Sequence, residues 1–449
     1  MSTAGSQSKT ALKATVSSII EKLPVARIHY MLAAACGLGY LFDAFDTYIV
    51  GFAMPSIQKE WQLTPVFNGM LASAGMWGMF IGALMWGPII DRVGRKFGFA
   101  GTVLGFSLVS GLTAFSTGTT QFIVYRFISG LFLGGMLPVV SALLAEFIAA
   151  KQRGRFVAVP PVFWPFGLFA AAIASFTLVP LYGWRALFVV GVVPAFLAFF
   201  VIRALPESPR WLASKGRKQE AAAVLVRLGA PPDEVQDLGT EAKSQKAPLR
   251  ELLHPPYLKR FILTTSVLFF GFFGYYGFGL WLPSILAVVF KLSLVRTFTY
   301  TILVGVFSIL GKTTAFFTID KFGRKQLFYF GYGLAGVASL IFGILKDPTA
   351  LLIGACALSY LLEMAAAGCV VLPTELFPSA VRGTANSWTS ASGKLASALS
   401  PLVFGYFMAK QMYYGIFITM AAFFWIACLM IFTIGEETKG KALHDVGAS

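Results

Sequence analysis

Long apolar stretches alternate with short polar loops along almost the whole chain of 449 residues. A single helix needs about 20 apolar residues to cross a bilayer core about 30 Å thick. Twelve stretches meet this requirement and predict an all-α polytopic membrane protein with twelve transmembrane helices. They are residues 31–57, 67–90, 97–116, 122–147, 156–181, 184–203, 258–290, 297–319, 327–345, 349–373, 384–408 and 413–435.

One long polar segment divides the predicted helices into two groups of six. Residues 204–257 are rich in charge, and they contain a helix-like stretch at 217–228 and a Pro231-Pro232 break. Proline lacks a backbone N–H and interrupts a helix. The predicted regions are a tail at 1–30, a six-helix half at 31–203, a linker with short helices at 204–257, a second six-helix half at 258–435 and a tail at 436–449.

The composition supports a membrane protein, and the distribution of charge predicts its orientation. Only 12% of the residues are charged, against about 25% in soluble domains, and 57% are hydrophobic. The positive-inside rule places basic loops and both tails in the cytoplasm, with the helices in the cell (plasma or inner) membrane. The net charge of +16 thus reflects topology, and we expect no nucleic-acid partner. The basic residues concentrate in alternate loops, at 92–96, 151–155, 203–260, 321–325 and 382.

Two short motifs recur at the same separation in the two halves. The first is the loop D-R-V-G-R-K at 91–96, which returns as D-K-F-G-R-K at 320–325, and 320 − 91 is 229. The second is a glutamate followed by Arg-Gly, at 146–154 and, with an identical offset, at 375–383. A shared separation of independent motifs indicates an internal repeat. Secondary transporters are commonly built from such repeats, with a central site between the halves.

The first motif resembles the signature loop of the major facilitator superfamily, and the resemblance extends over nearly the whole chain. It implies two halves that rock around a central site, so that the site opens to either side of the membrane in turn. Carboxylates and basic groups on the cytoplasmic rim can form charge-assisted pairs that close this side in one state. The alternative is that the basic residues only anchor the topology. We assign to this cytoplasmic gate Asp91, Arg92, Arg95, Glu146, Arg153, Asp320, Arg324, Glu375 and Arg382.

Further motifs narrow the position within the superfamily. Residues 206–212 (P-E-S-P-R-W-L) and 436–440 (E-E-T-K-G) resemble signatures of the sugar porters, which also occur in synaptic-vesicle-glycoprotein-like and organic-ion transporters. The seventh predicted helix lacks the amide side chains typical of sugar porters, and residues 42–46 (F-D-A-F-D) resemble the niacin and aromatic-acid proton symporters. This resemblance implies proton-coupled uptake of a small organic anion, an aromatic monocarboxylate such as nicotinate. A proton-linked sugar or polyol porter is the alternative, followed by an organic cation carrier.

Ionisable residues within the predicted helices are candidates for function, because a charge at membrane depth costs about 2.5–3.5 kcal/mol or more. By resemblance, Asp46 matches the first-helix aspartate of proton-linked sugar porters, and Arg126 opens the superfamily signature R-x-x-x-G-x-x-x-G-G. A carboxylate that alternately contacts and leaves an arginine changes its proton affinity, as a symporter requires. The alternatives are a permanent salt bridge and titration of Asp43. We select six candidates: Asp43, Asp46, Arg126, Glu146, Glu363 and Lys394.

Lys394 in the eleventh predicted helix carries the substrate prediction. At this position organic cation transporters resemble one another in having aspartate and organic anion transporters have arginine, so lysine implies an anionic substrate. A buried cation needs a counter-charge, which is either the substrate or Glu363. Glu363 is otherwise a second proton site or a residue at the rim. An aromatic acid also needs flat apolar walls, for which the candidates are Trp164, Tyr275, Tyr276, Trp281 and Trp388.

The sequence contains no signal for catalysis or metal binding. The histidines, His29, His254 and His444, lie outside or at the edge of the predicted helices, and no H-E-x-x-H or G-x-S-x-G string occurs. The four cysteines do not have C-x-x-C spacing. The polar segments are too short for the sensor domain of a receptor. We predict a non-enzymatic monomer without cofactor or metal, whose partners are a small organic anion, protons and the lipid bilayer.

Overall fold

The chain folds into long helices. The computed structural model describes residues 15–235, 238–239 and 249–435, apart from the side chains of Asp320, Val370, Ser379 and Ala380. Twelve long helical segments occur in this part of the chain, and ten of them are long and apolar enough to cross a membrane. The two others, at 95–113 and 379–409, have 19 and 31 residues and more polar side chains. The predicted all-α, twelve-helix class is confirmed.

Each predicted span overlaps one of these helices. The first six are α1 (Arg27–Trp61), α2 (Pro65–Val93), α3 (Arg95–Thr113), α4 (Thr119–Phe147), α5 (Ala150–Tyr182) and α6 (Arg185–Ala204). The last six are α7 (Leu258–Val289), α8 (Leu294–Phe322), α9 (Arg324–Ile344), α10 (Pro348–Leu376), α11 (Ser379–Ala409) and α12 (Tyr413–Thr433). Most helices extend beyond the predicted span, because backbone hydrogen bonding continues past the last apolar residue.

Short surface helices lie together on one face of the bundle. The first precedes α1, and its Glu21 accepts a hydrogen bond from the backbone N–H of Ala150 at 2.8 Å. These helices are Val16–Lys22, Pro209–Ser214, Lys218–Arg227 and Leu249–Leu252. We call the face that carries them, and the loops at 92–96, 151–155 and 321–325, the basic face. The opposite end of the bundle is the far face.

Single glycines join α2 to α3 and α8 to α9 at the basic face. Gly94 has a φ of +102° and Gly323 a φ of +96°. Glycine populates this region without the steric cost that other residues have. The glycines of the two repeated loops therefore allow the sharp reversal between consecutive helices.

The helices pack in the same pattern in the two groups of six. In the first group α1 packs against α5 and α2 against α4; in the second, α7 packs against α11 and α8 against α10. The place of a Cβ on Gly82 is taken by the backbone oxygen of Leu131, and that on Gly311 by the backbone oxygen of Tyr360. The two glycines occupy equivalent positions of the repeat, because their separation equals that of the repeated motifs. Small residues let helices in membranes approach this closely.

Three helix pairs join the two groups: α1 with α7, α2 with α11, and α5 with α8. The close contacts of the first two pairs lie toward the far face. A Cβ on Gly51 would lie 2.5 Å from the backbone oxygen of Leu280, and one on Gly69 would lie 2.5 Å from that of Pro401. At the basic face, a Cβ on Gly87 of α2 would have no described atom within 4 Å. The structure is therefore closed at the far face.

Substitution of Gly69 by valine is expected to open the far face. Overpacking costs about 1–3 kcal/mol, which shifts an equilibrium roughly 5- to 150-fold. The measurement is alkylation of a cysteine introduced at the buried Ser400, by a membrane-impermeant maleimide, in a variant without the native cysteines. Gly69→Val should increase the labelling rate, whereas Gly87→Val on the same helix should not. Equal rates in the two variants would contradict this prediction.

Candidate functional site

A buried ion pair links α1 to α4. Arg126 Nη2 lies 2.8 Å from Asp46 Oδ2 and also donates to the backbone oxygen of Asp46 at 3.0 Å. Ser129 donates to the same carboxylate at 3.2 Å. The side chains of Asp46 and Arg126 are 1% and 2% exposed, so each compensates the other's charge away from water. The structure thus brings together the two residues predicted for proton coupling, and it adds Ser129 as a hydrogen-bond donor.

Asp43, one helical turn before Asp46, interacts with the second group of helices. Its carboxylate lies within electrostatic range of Lys394 on α11, although the two groups form no ion pair among the described residues. One carboxylate oxygen of Asp43 is buried and has no hydrogen-bond partner among the described residues. Lys394 places its ammonium group 5.6 Å from the centre of the Tyr276 ring, within the range of a cation–π contact. The cation therefore lies against an aromatic face, with the carboxylate of Asp43 within electrostatic range.

Five aromatic side chains from α1, α5 and α7 form a wall that includes the ring beside Lys394. The ring centres of Trp164 and Tyr276 are 6.1 Å apart, and those of Tyr275 and Tyr276 are 5.2 Å apart. Trp164 also contacts two rings of α1 edge-on, at 6.5 and 6.2 Å. Edge-to-face contacts favour a defined orientation of the rings. We call this set the aromatic cluster: Tyr40, Tyr48, Trp164, Tyr275 and Tyr276. Tyr40 and Tyr48 were not among the predicted wall residues.

Trp281 and Trp388 were also predicted as wall residues, but the structure does not bring them to the aromatic cluster. Trp281 is buried, yet it follows Tyr276 by five residues, which turns its side chain about 140° around α7. Trp388 is 43% exposed. It precedes Lys394 by six residues, about 120° away around α11. Because successive residues turn around the helix axis, the side chain of Trp281 points away from Tyr276 and that of Trp388 points away from Lys394.

Glu363 has partners that the sequence did not reveal. Its Oε2 lies 3.3 Å from Nζ of Lys312 on α8, and the hydroxyl of Tyr275 donates to Oε1 at 2.5 Å. The proposed alternative pair of Glu363 with Lys394 is thus replaced by a pair with Lys312. Lys312 was omitted from the six candidates, although it lies within the predicted span 297–319 and meets the same criterion.

A narrow cavity borders Glu363 between α1, α5, α7, α8 and α10. Its walls are mostly apolar, with a few hydroxyl groups and one carboxylate, and its volume of about 20 Å³ has room for about one water molecule. Residues that line it include Tyr48, Phe52, Tyr275, Phe278, Ser308 and Glu363. The aromatic cluster contributes two of its members, so the cavity and the cluster are continuous.

Ion pairs recur at the basic face. Arg95 Nε lies 2.7 Å from Glu146, and Arg324 Nη2 lies 2.7 Å from Glu375, at the equivalent positions of the repeat. Arg95 also contacts Asp91 at 3.1 Å. The pairs connect the start of α3 to the end of α4 and the start of α9 to the end of α10. Each therefore joins helices within one group of six.

The segment after α6 packs onto this rim, although the sequence did not assign it to the gate. Glu207 accepts hydrogen bonds from the backbone N–H groups of Arg95 and Lys96 at 2.8 and 3.1 Å. A carboxylate at a helix N-terminus is favoured by the helix dipole. The hydroxyl of Ser208 donates to Glu146. The P-E-S-P-R-W-L motif thus caps α3 and holds the ion pair beneath it.

Two other predicted gate residues, Arg153 and Arg382, bind backbone oxygens that are near them in sequence. Arg153 and Arg382 each donate to the backbone oxygen of the fifth residue before them, at 3.3 and 2.9 Å. These two hydrogen bonds are equivalent in the repeat. Arg92 is exposed. The side chain of Asp320 and the motif at 436–440 lie outside the described residues.

Related proteins are similar to this chain over nearly its whole length. Residues 31–448 match the family described as sugar (and other) transporter. The chain is 33% identical to the niacin transporter NiaP of Acinetobacter baylyi, with 96% of this chain and 99% of that protein covered. It is 32% identical to the putative niacin/nicotinamide transporter NiaP of Bacillus subtilis (92% and 97% covered) and 29% identical to the 4-hydroxybenzoate transporter PcaK of Acinetobacter baylyi (85% of each covered).

Solved structures share the fold. The xylose transporter XylE from E. coli, in a partially occluded inward open conformation, superposes with a TM-score of 0.76 at 22% identity, with 93% of this chain and 100% of that chain covered. A second structure, of the MFS (major facilitator superfamily) proton:xylose symporter XylE, has a TM-score of 0.71 at 21% identity (94% and 98% covered). Because the family match spans nearly the entire sequence, the chain belongs to the sugar (and other) transporter family, and it is a multi-pass membrane transporter rather than an enzyme.

Proposed function

We propose that the protein is a secondary active transporter that takes up a small aromatic monocarboxylate, such as nicotinate, together with protons. The observation that carries this proposal is the position of Lys394 against Tyr276 of the aromatic cluster, with Asp43 as the interacting carboxylate. An aromatic acid needs one cation for its carboxylate and flat apolar surface for its ring. Relatives named as transporters of niacin and 4-hydroxybenzoate support the same class of substrate.

The charges around Lys394 link substrate binding to proton binding. Lys394 and Asp43 together are neutral, and a substrate carboxylate that binds Lys394 adds a negative charge. An uncompensated charge away from water is costly. A proton on Asp43 restores neutrality: an O–H bond of hydronium in the adjoining water breaks, and one O–H bond forms on the carboxylate. The buried oxygen of Asp43 that has no described hydrogen-bond partner is a suitable acceptor.

In this proposal, the ion pair of Asp46 and Arg126 depends on the conformation of the transporter. Arginine remains charged at physiological pH, and its contact with Asp46 at 2.8 Å stabilises the carboxylate form. A movement that separates α1 from α4 would remove this partner, and Asp46 would then bind a proton.

Alternating access requires the two groups of six helices to rock against each other. We propose that they correspond to the halves 31–203 and 258–435 and that the transporter acts as a monomer. The positive-inside rule places the basic face, the linker and both tails in the cytoplasm of the cell. The state described here, closed at the far face, is then inward-facing. Its rim ion pairs, each within one half, would hold the cytoplasmic ends of the helices that meet when the halves close on that side.

A proton-linked sugar porter is the second candidate. The similar solved structures are those of a xylose transporter, and the hydroxyl groups of Ser308 and Ser359, 2.5 Å apart, lie beside the cavity. Sugars need many hydrogen-bonding partners, whereas the aromatic cluster presents mainly ring surface. The positive charge of Lys394 also favours an anion over a neutral sugar or an organic cation.

Uptake of radiolabelled nicotinate into proteoliposomes is expected to follow an imposed inward proton gradient. A protonophore should abolish accumulation above equilibrium, because the substrate enters only with a proton. Unlabelled benzoate should compete, whereas xylose and an organic cation should not. Equal uptake with and without the gradient would exclude symport. Competition by xylose alone would favour the sugar porter.

Replacement of Lys394 by alanine is expected to weaken nicotinate binding. Loss of a hydrogen bond to a charged group costs about 1.5–3 kcal/mol, so the dissociation constant should rise roughly 10- to 150-fold. Scintillation proximity binding to the purified protein provides the measurement. Lys394→Arg should retain part of the affinity, and Lys410→Ala, at the exposed end of α11, should bind as the wild type does. Unchanged affinity in Lys394→Ala would refute the anion site.

Asparagine at the two aspartates of α1 should have different effects. Asp43→Asn is expected to retain nicotinate counterflow but to accumulate less nicotinate for a given proton gradient, because the proton that Asp43 accepts is no longer coupled to transport. Asp46→Asn leaves Arg126 buried without its counter-charge, at a cost of about 3–5 kcal/mol. It should therefore lower the thermal stability of the purified protein as well. Accumulation by Asp43→Asn equal to that of the wild type would contradict the assignment of a coupling proton to Asp43.

A further inference from the structure

The ion pair of Lys312 and Glu363 has no role in the mechanism proposed for Lys394 and Asp43. Both side chains are buried, and they lie within the membrane-spanning helices α8 and α10. Charged groups at this depth cost free energy, and they usually mark ion or substrate pathways. The pair therefore needs an explanation of its own.

The fold does not require this pair. The equivalent positions in the first group of helices are Ala83 and Gly134, since 312 − 83 and 363 − 134 are both 229. There α2 and α4 pack directly, and the backbone of Met79 takes the place of a Cβ on Gly134. The same helix–helix contact thus forms without any charge. The charges in the second group are an addition to the repeat, which points to function rather than to packing.

One oxygen of Glu363 is available to a proton. Oε1 accepts the hydrogen bond from Tyr275, whereas Oε2 lies 3.3 Å from Lys312 and has no hydrogen-bond partner among the described residues. Glu363 also lines the narrow cavity, which offers a route for a proton. Among the described groups that face Glu363, Lys312 carries the only charge at neutral pH. These groups are Lys312 from α8, Tyr48 from α1, Tyr275 and Tyr276 from α7, and Tyr332 from α9.

Tyr275 connects Glu363 to the aromatic cluster. Its hydroxyl donates to Glu363, and its ring lies 5.2 Å from that of Tyr276, which contacts Lys394. A substrate ring that enters the cluster and moves Tyr275 changes the hydrogen bond to Glu363. The proton affinity of a carboxylate depends on such a hydrogen bond. Substrate binding can therefore be transmitted to Glu363 without direct contact.

We propose that Glu363, with Lys312 and Tyr275, forms a second proton-binding site of the transporter. This inference rests on the proposed proton symport. As substrate binds, a proton from water forms an O–H bond at Oε2, and it returns to water on the other side of the membrane. Protonation leaves the pair with the positive charge of Lys312. The substrate anion and the proton at Asp43 are together neutral, so the proton at Glu363 gives each transport cycle a net charge of one positive unit. The transport rate therefore responds to the membrane potential.

A first test needs no substrate. Infrared difference spectra of the purified wild-type protein, between acidic and alkaline buffer, should contain a C=O stretching component of a protonated carboxyl group that Glu363→Gln lacks. Because Glu363→Gln leaves Lys312 unpaired, the neutral double variant Lys312→Met/Glu363→Gln is measured as well. Asp43→Asn should retain the component. Identical carboxyl bands in the wild type and both Glu363 variants would overturn the proposal.

A second test measures the coupling ratio. The reversal potential of nicotinate transport in proteoliposomes should show one proton fewer per substrate in Lys312→Met/Glu363→Gln than in the wild type. Uptake by the double variant should still follow the proton gradient but respond less to an inside-negative potential. In Tyr275→Phe, addition of nicotinate should no longer alter the infrared band of Glu363. An unchanged coupling ratio in the double variant would overturn the proposal.

The two tests distinguish failure of this inference from failure of the proposed function. If the wild type does not transport nicotinate, the substrate proposal fails, and the infrared comparison still decides whether Glu363 binds a proton. If uptake is proton-driven but the Glu363 component is missing from the wild-type spectrum, only the second proton site fails.

Discussion

Charges buried inside the membrane have to be compensated by the protein itself, because lipid provides neither water nor counter-ions. This requirement organises the centre of the transporter. Arg126 and Asp46 join α4 to α1, and Lys312 and Glu363 join α8 to α10. The interaction of Asp43 with α11 differs from these two, because it crosses between the two groups of helices. The distance between the charges of Asp43 and Lys394 therefore depends on how the two groups of helices are placed.

The helix contacts divide this molecule into stiff units and a deformable boundary. Within each group of six, glycine lets helix backbones touch, as at Gly82 and Gly311. Capping of α3 by Glu207 adds rigidity at the basic face. Between the groups, the close contacts of α1 with α7 and of α2 with α11 lie toward the far face. A rocking motion can thus break contacts between the groups while the backbone contacts at Gly82 and Gly311 remain.

Much of the architecture and part of the candidate site could be predicted from the sequence. Hydropathy is a local property, so the twelve helices were recognised within a few residues. The constant offset of the repeated motifs correctly paired Arg95 with Arg324 in equivalent surroundings. Tyr48 and Glu207 were missed, because their roles depend on partners that are distant in sequence. Trp388 was predicted as a wall residue, whereas rotation around α11 separates its side chain from Lys394 and leaves it 43% exposed.

The sequence by itself determined the number of membrane spans, the repeat and the presence of charges at membrane depth, since each follows from composition and spacing along the chain. Only the tertiary structure decided that Glu363 contacts Lys312 and Tyr275, and that the far face is the closed one. The physical reason is that the rotation and tilt of a membrane helix are set by packing against its neighbours. Which buried charges meet is therefore a property of the assembled bundle.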